Sequence, residues 1–395
     1  MCQMPKKGLH LAVGDNLLKA GANPSQAMFL DIMRQQAYSA RRWCVGVALR
    51  RRYVVPAGAD AVHENRRKFV RLLGTTGLCG LAGLGSGPAR AEPPPETTRI
   101  RLSKLRSICL APQYVAEELL HAEGFTDIQY VEVGAGGPGA QMTGSGEIDI
   151  GMNFAAVLVH ALDQGAPFVV LAGIHTGCFE LFGTNDVKTI RDLKGRTAAV
   201  LSLGSGQHVF LSSIATSVGL DPQRDIRWAT HPPAEAMQLL AQGKIDAFLG
   251  FPPDPQELRA KGIGHVVLNS ALDRPWSQYF CCLVAANREF TLKYPIATKR
   301  ALRAIIKGSE ICATDPERAA TAFLRLGYAT HPEPTRQALR EIPYGHWRDY
   351  NPEETVRFYA LRLREAGMVK SAPQKLIAQG TDWRIVEQLK REMKT

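Results

Sequence analysis

The chain has 395 residues, 45% of them hydrophobic, and a formal charge of +11, a balance that on its face suggests a nucleic-acid or membrane-surface partner. The charge is local, however: residues 1–91 carry 14 Lys+Arg against 4 Asp+Glu, while residues 92–395 carry 34 against 33. Nucleic acid is therefore excluded as an expected partner, and the near-neutral remainder is long enough for two α/β units.

Residues 1–64 hold clustered arginines (Arg41, Arg42, Arg50, Arg51, Arg52) and little apolar periodicity. Residues 65–91 read as an export signal. Arg66 and Arg67 precede a mildly apolar, glycine-rich stretch from Leu72 to Gly87, and Ala89-Arg90-Ala91 has the small-residue spacing that a signal peptidase reads. The pattern resembles a twin-arginine signal, a receptor-read address, with cleavage expected after Ala91 and work in the periplasm. Its apolar part is shorter and more polar than the ~20 apolar residues of a membrane helix. Such signals lie close to a chain start, so residues 1–64 are expected to be either a disordered basic extension or sequence upstream of a true start near Val62.

Of eight cysteines, Cys109, Cys178, Cys281, Cys282 and Cys312 follow the signal. Their odd number and the absence of CxxC or Cys/His spacing argue against a disulfide framework or a zinc site. Most are expected to be buried small hydrophobes, with no metal and no cofactor.

Past the signal, strand and helix signals alternate. Ile100–Leu102 and Ile128–Val133 read as strands, with helical spacing over Pro112–Glu123 between them. Gln141 onward is helical into Gly146-Glu147-Ile148-Asp149-Ile150-Gly151, a turn and a short buried strand. Val157–Leu162 is helical, and Phe168–Ile174 is a continuous apolar run, hence an internal strand. A second unit repeats the scheme: strand Thr197–Leu201, helix Val209–Val218, strand Ile226–Trp228, helix Ala234–Gln242, then Gly243-Lys244-Ile245-Asp246-Ala247. The two Gly-x-Ile-Asp strings, each after a helix and before a strand, point to two lobes built alike. From Pro295 the pattern is helical over 296–314, 316–326, 334–341, 352–366 and 383–394, with prolines at several first turns.

Several strings together carry a resemblance: Ala111-Pro112-Gln113-Tyr114-Val115-Ala116-Glu117, Gly146 to Gly151, Asp192-Leu193-Lys194-Gly195-Arg196, Gly219-Leu220-Asp221, and Leu240 to Ala247. Over roughly Arg99 to Lys394 the chain resembles the periplasmic substrate-binding proteins of ABC importers, in the nitrate/sulfonate/taurine and thiamine-precursor (NMT1/THI5-like) family. The resemblance implies an α/β, two-lobed periplasmic-binding-protein fold (type II), with mixed sheets flanked by helices and a helical C-terminal tail. The first lobe is expected over 99–187 and 278–330, the second over 188–277, and a helical segment over 331–395. Implied too are a small anionic or heteroaromatic ligand held by hinge closure, a membrane permease as partner, and a monomeric, non-enzymatic protein.

Ligands of open α/β sheets sit beyond the carboxyl ends of strands, where helix N-termini offer unpaired N–H groups. Ser202, Gly204, Ser205, Gly206 and His208 lie between a strand and a helix and form the expected polar clamp of the second lobe. The same residue types also make an ordinary N-cap turn. Asn153, Ser107 and Tyr114 are the matching candidates in the first lobe, and Cys178 and Phe251 lie where the crossover and a second-lobe strand meet the cleft. Trp276 and Tyr279 are candidates to cap a ligand, with core packing as the competing reading.

The string Gly134 to Gly139 matches GxGxxG, but the acidic residue of a dinucleotide site is missing about 20 positions on, so these glycines are expected to form a loop over the cleft. Two rivals remain: an enzyme of THI5-like pyrimidine chemistry and a ligand sensor for a membrane receptor. Cys281-Cys282 is only a doublet, and no GxSxG elbow or metal-spaced His pair supports the enzyme.

Overall fold

A computed structural model describes residues 92–105, 107–133, 138–327 and 331–393. The signal residues Arg66, Arg67, Ala89 and Ala91, and Gly134–Gly137 of the glycine loop, lie outside the described residues.

Two five-stranded mixed sheets form the frame. The first contains β1 (Arg99–Lys104), β2 (Asp127–Glu132), β3 (Ile150–Phe154), β4 (Phe168–Thr176) and β10 (Phe280–Asn287), in the order β2-β1-β3-β10-β4. The second contains β5 (Glu180–Gly183), β6 (Arg196–Val200), β7 (Ile226–Thr230), β8 (Ala247–Gly250) and β9 (His265–Asn269), in the order β7-β6-β8-β5-β9. In each sheet the first three strands of that order pair in parallel, and one strand arriving from the other lobe inserts antiparallel: β10 between β3 and β4, and β5 between β8 and β9. The chain therefore crosses between lobes twice, after β4 and after β9. Because β5 already belongs to the second sheet, the first crossover precedes the expected boundary at 187. Four residues were too few to announce β5 as a strand.

Helices cover both sheets: α1 (Ala111–Val115), α2 (Glu117–Ala122), α3 (Gly139–Ser145), α4 (Ala155–Asp163), α5 (Gly206–Ser217), α6 (Pro233–Ala241) and α7 (Asp254–Lys261). The helix read over 112–123 is broken between α1 and α2. After β10 come α8 (Arg288–Lys293), α9 (Pro295–Thr314), α10 (Pro316–Arg325), α11 (Pro332–Glu341), α12 (Pro352–Glu365), α13 (Pro373–Gly380) and α14 (Arg384–Glu392). Most open with a proline in the first turn, where a missing N–H costs nothing. The C-terminal helices straddle the lobes: α12 packs on α4 and α5, and α11 on α7 and α9. No helix among the described residues is long and apolar enough to cross a membrane.

The repeated Gly-x-Ile-Asp string does the same work in both lobes. Gly146 and Gly243 adopt φ of +81° and +65°, the left-handed geometry that ends a helix and that other residues adopt only with strain. Three residues on, the Asp149 carboxylate accepts from the Arg101 backbone N–H at 2.7 Å, and that of Asp246 accepts from Thr197 at 2.8 Å. An arginine completes each clamp, Arg101 on Asp149 at 2.6 Å and Arg196 on Asp246 at 3.2 Å. Each string thus fixes the register of its strand against the first strand of the same lobe.

The chain is docked from Glu92 onward. Glu92 meets Lys299 at 2.9 Å and Arg303 at 2.5 Å, while Arg300 donates to the Pro93 carbonyl at 2.8 Å. All three basic residues lie on α9, so the segment just after Ala91 is tied to the first lobe.

Candidate functional site

A cavity of about 530 Å³ opens between the lobes. The first lobe contributes Ser107, Cys109, Glu132, Asn153, Phe154 and Cys282 among others, and the second Leu201, Gly204, Ser205, Gly206, Gln207 and Phe251. Its volume lies within the ~300–1,000 Å³ range of pockets that hold an organic ligand.

The second-lobe wall is the N-terminus of α5. Gly204 sits at φ +84°, turning the chain so that Ser205 becomes the N-cap, whose Oγ accepts from the His208 N–H at 3.4 Å. Val209 donates to the Ser205 carbonyl at 2.9 Å, so the N–H groups of Gly206 and Gln207 are left without intrahelical acceptors. A Cβ on Gly206 would lie 3.6 Å from Phe154 and 3.8 Å from Val157, so this turn stands against the first lobe. Gln207 is 3% exposed, and its Nε2 has no hydrogen-bond partner. A buried, unsatisfied donor costs about 1–3 kcal/mol, which a bound acceptor recovers.

On the first-lobe wall Asn153 Oδ1 accepts from the Phe154 N–H at 2.8 Å, and its Nδ2 forms no bond within the described residues. Ser107 lies 3.0 Å from the Cys109 sulfur. Phe154, Phe179 and Phe251 supply apolar surface, with ring centroids 4.9 Å apart for the first two and 6.1 Å for the second two. Glu132 is matched by Lys104 at 2.6 Å.

Of the residues singled out in the sequence, Ser107, Asn153, Gly204, Ser205, Gly206 and Phe251 meet at this cavity. Tyr114, Cys178, Ser202, His208, Trp276 and Tyr279 do not line it. Tyr114 braces the wall from behind, its hydroxyl donating to the Leu105 carbonyl at 2.7 Å. His208 accepts from the Gly204 N–H at 3.1 Å and packs edge-on against Trp228, while burial pushes its pKa down. It is a neutral brace for the turn. Trp276 packs on Phe210 and Phe358, and Tyr279 stacks on Phe358 at 3.9 Å, so both belong to the aromatic core under α12. Gln207, Phe154 and Phe179 were not singled out. Gln207 had a signal, since it follows the capping serine by two residues.

Cys178 belongs to a second feature that sequence spacing argued against. Cys109, His175 and Cys178 place their ligand atoms within 4.8 Å of one another, and Cys281 lies 3.3 Å from Cys178. Cys282 pairs with His175 across β10 and β4. Hydrogen bonds from Cys178 and Cys282 hold the Cys109 thiol well below its ordinary pKa. All five cysteines among the described residues are buried, as expected, and all except Cys312 come from segments that meet around His175.

A separate cavity of about 690 Å³ lies beside the crossover, lined by Gly177, Cys178, Glu180, Gln256, Arg259 and Glu341 among others. Its polar groups satisfy one another to a large extent: Arg259 bridges Glu180 and Glu341, and Gln256 donates to Glu341 at 2.9 Å. This latch ties α7 of the second lobe to α11 of the tail.

Next to it, burial pushes the Asp254 carboxyl up to about 7, with Glu257 adding to the effect. Between about pH 4 and 7 the unfolded carboxyl is ionised while the folded one keeps its proton, so stability falls as pH rises through that window. The penalty is complete above pH 7 and amounts to at most about 4 kcal/mol. Asp254→Asn is expected to flatten the decline and to be the more stable protein at pH 8, as read by urea unfolding at pH 5 and 8.

A family model described as "NMT1-like family" matches residues 93–326. The bicarbonate-binding protein CmpA of Synechococcus elongatus is 28% identical over 109 residues, which are 28% of this chain and 24% of that protein. The chain therefore spans about a quarter of the length of the curated relatives it matches. Among solved structures, the periplasmic nitrate-binding protein NrtA from Synechocystis PCC 6803 superposes with a TM-score of 0.64 at 15% identity, over 76% of this chain and 90% of that one. The alkanesulfonate-binding protein SsuA from Xanthomonas axonopodis pv. citri, bound to MOPS, superposes with a TM-score of 0.57 at 17% identity, over 73% and 99%. These likenesses establish the two-lobed binding-protein fold.

Proposed function

The chain belongs to the NMT1-like family, and we propose that it is the exported solute-binding component of an ABC importer, taking an organic anion between its lobes. The observation that carries this reading is the wall at the start of α5: the Gly206 and Gln207 backbone N–H groups, without helical acceptors, stand at residues lining a cavity between the lobes, with the orphaned Gln207 amide buried beside them. A helix N-terminus favours a negative group, and the phenylalanines opposite favour an apolar body. A bare inorganic oxyanion, of the same order as one water's ~30 Å³, would leave most of the 530 Å³ unfilled. An alkanesulfonate or an aromatic carboxylate fits both requirements.

The two crossovers support the reading of hinge closure. Residues Cys178 and Phe179 of the first donate to the Ser270 hydroxyl beside the second, at 3.1 and 2.9 Å. Contacts from ligand to both lobes would favour the closed arrangement. A monomer working with a membrane permease in the periplasm, after cleavage at Ala91, completes the proposal; docking of Glu92 on α9 supports a mature chain that starts there. The six predicted residues at the cavity act as ligand contacts.

Thermal-shift and calorimetric titration of the purified protein tests this, using hexanesulfonate, benzoate, nitrate and bicarbonate as probes. A ligand bound only by the folded state raises the midpoint. The organic anions are expected to raise it and the inorganic ones to move it less. The proposal fails if no organic anion shifts the midpoint, or if mass spectrometry finds the ligand chemically altered, as the enzyme reading requires.

A further inference from the structure

Four thiols and one imidazole converge at the floor of the cleft, drawn from four separate segments: Cys109 in the turn after β1, His175 near the end of β4, Cys178 in the crossover, and Cys281 and Cys282 at the start of β10. All five are buried. Antiparallel insertion of β10 sets Cys282 opposite His175, and register shifts on both sides of Cys282 break the regular alternation. A regular strand would send consecutive cysteines to opposite faces; here the shifts break that alternation at the doublet, where Cys281 reaches Cys178 and Cys282 stands opposite His175.

His175 is oriented as a metal ligand would be. It is fully buried, and its Nδ1 lies 2.7 Å from the Thr176 carbonyl, which can only accept. The proton therefore sits on Nδ1, and Nε2 presents a bare lone pair with no hydrogen-bond partner. Fixing the tautomer through a backbone carbonyl is how ligating histidines are held. The spacing suits a small ion as well: bonds of ~2.3 Å to tetrahedral zinc place sulfurs ~3.8 Å apart, between the 3.3 Å of Cys178–Cys281 and the 4.8 Å limit of the triad. Cys109 and Cys282 line the interlobe cavity and Cys178 lines the second one, so an ion has a way in without unfolding.

We infer that Cys109, His175 and Cys178 form a binding site for one thiophilic d10 metal ion, Zn(II) or Cu(I), with Cys281, 3.3 Å from Cys178, as the neighbouring thiol. Thiol sulfurs with an imidazole are the soft donor set that these ions take and that magnesium or calcium does not. Each thiol that binds releases its proton to solvent, so loading is accompanied by proton release. The inference stands independently of the anion site, since it uses neither Gln207 nor the α5 N-terminus.

The test loads the reduced full-length chain with Zn(II), Cu(I) or the spectroscopic substitute Co(II), removes loose metal, and measures stoichiometry and the sulfur-to-cobalt charge-transfer absorption. One ion per chain with a sulfur-rich absorption spectrum is expected, along with slowed reaction of the native thiols with a disulfide reagent. Cys178→Ala and His175→Leu should each lower retained metal at least tenfold, while Cys312→Ala, a buried cysteine outside the group, should retain it. If either variant fails to fold, the Co(II) spectrum and thiol protection of the unaltered protein still decide. Failure of the unaltered protein to retain any of the three ions, or a Cys178–Cys281 disulfide as its stable state, overturns the inference. Organic-anion binding without metal retention would sink this site and leave the proposed function standing; the reverse result would do the opposite.

Discussion

Ser205→Asp is expected to weaken hexanesulfonate or benzoate binding by at least 100-fold while leaving the fold intact. Aspartate caps a helix as well as serine does, so α5 keeps its start. The new carboxylate, at a position only 3% exposed, would oppose the bound anion, and juxtaposed like charges cost several kcal/mol. Gln207→Ala removes a donor without adding charge and should cost about 1.5–3 kcal/mol, or roughly 10- to 150-fold, as a hydrogen bond to a charged group does. Ser205→Asn is the control that keeps the cap without the charge and should bind within a few fold of the unaltered protein. Calorimetry reads all three. Equal affinity of Ser205→Asp and Ser205→Asn would remove this turn from the site.

Gly308→Ala should destabilise the protein by about 2–3 kcal/mol, in the range of overpacked cores. Helix propensity alone points the other way, because alanine is better than glycine by about 1 kcal/mol in a helix interior. Here α9 crosses α1 so closely that a Cβ on Gly308 would lie 2.2 Å from the Pro112 carbonyl oxygen. That atom is backbone and already accepts from the Ala116 N–H at 3.0 Å, so it cannot swing aside like a flexible side chain. The helices must separate, which loosens the packing of a helix whose Ala301, Ile305 and Cys312 are fully buried. Urea unfolding monitored by circular dichroism gives the value. A net gain in stability would show that the crossing relaxes at little cost.

Much of the scaffold was legible because its signals are local. An αL glycine ends a helix wherever it occurs, and the aspartate three residues later reaches back to the neighbouring strand, so Gly146–Asp149 and Gly243–Asp246 announced two similar lobes. Ser205 as a cap after Gly204 was readable for the same reason. The elements that escaped are those whose pattern is short or conditional. β5 has four residues and gains its identity from pairing with β8 and β9. The aromatics Trp276 and Tyr279 have cleft-like chemistry, and only α12, arriving from far along the chain, covers them.

By itself the sequence determined an α/β chain with two alike lobes, a helical tail, and a glycine–serine turn suited to an anion. Each of these rests on contacts between residues a few positions apart, which spacing and residue type encode directly. The tertiary structure alone decided which donors remain unpaired and which thiols meet. Gln207 is orphaned because folding buries its amide with no acceptor in reach. Cys109, His175, Cys178, Cys281 and Cys282 meet because β10 returns from the other lobe, inserts antiparallel between β3 and β4, and shifts register at the doublet. Only His175-x-x-Cys178 carries a ligand spacing along the chain; the meeting with Cys109, Cys281 and Cys282 is made by strand insertion.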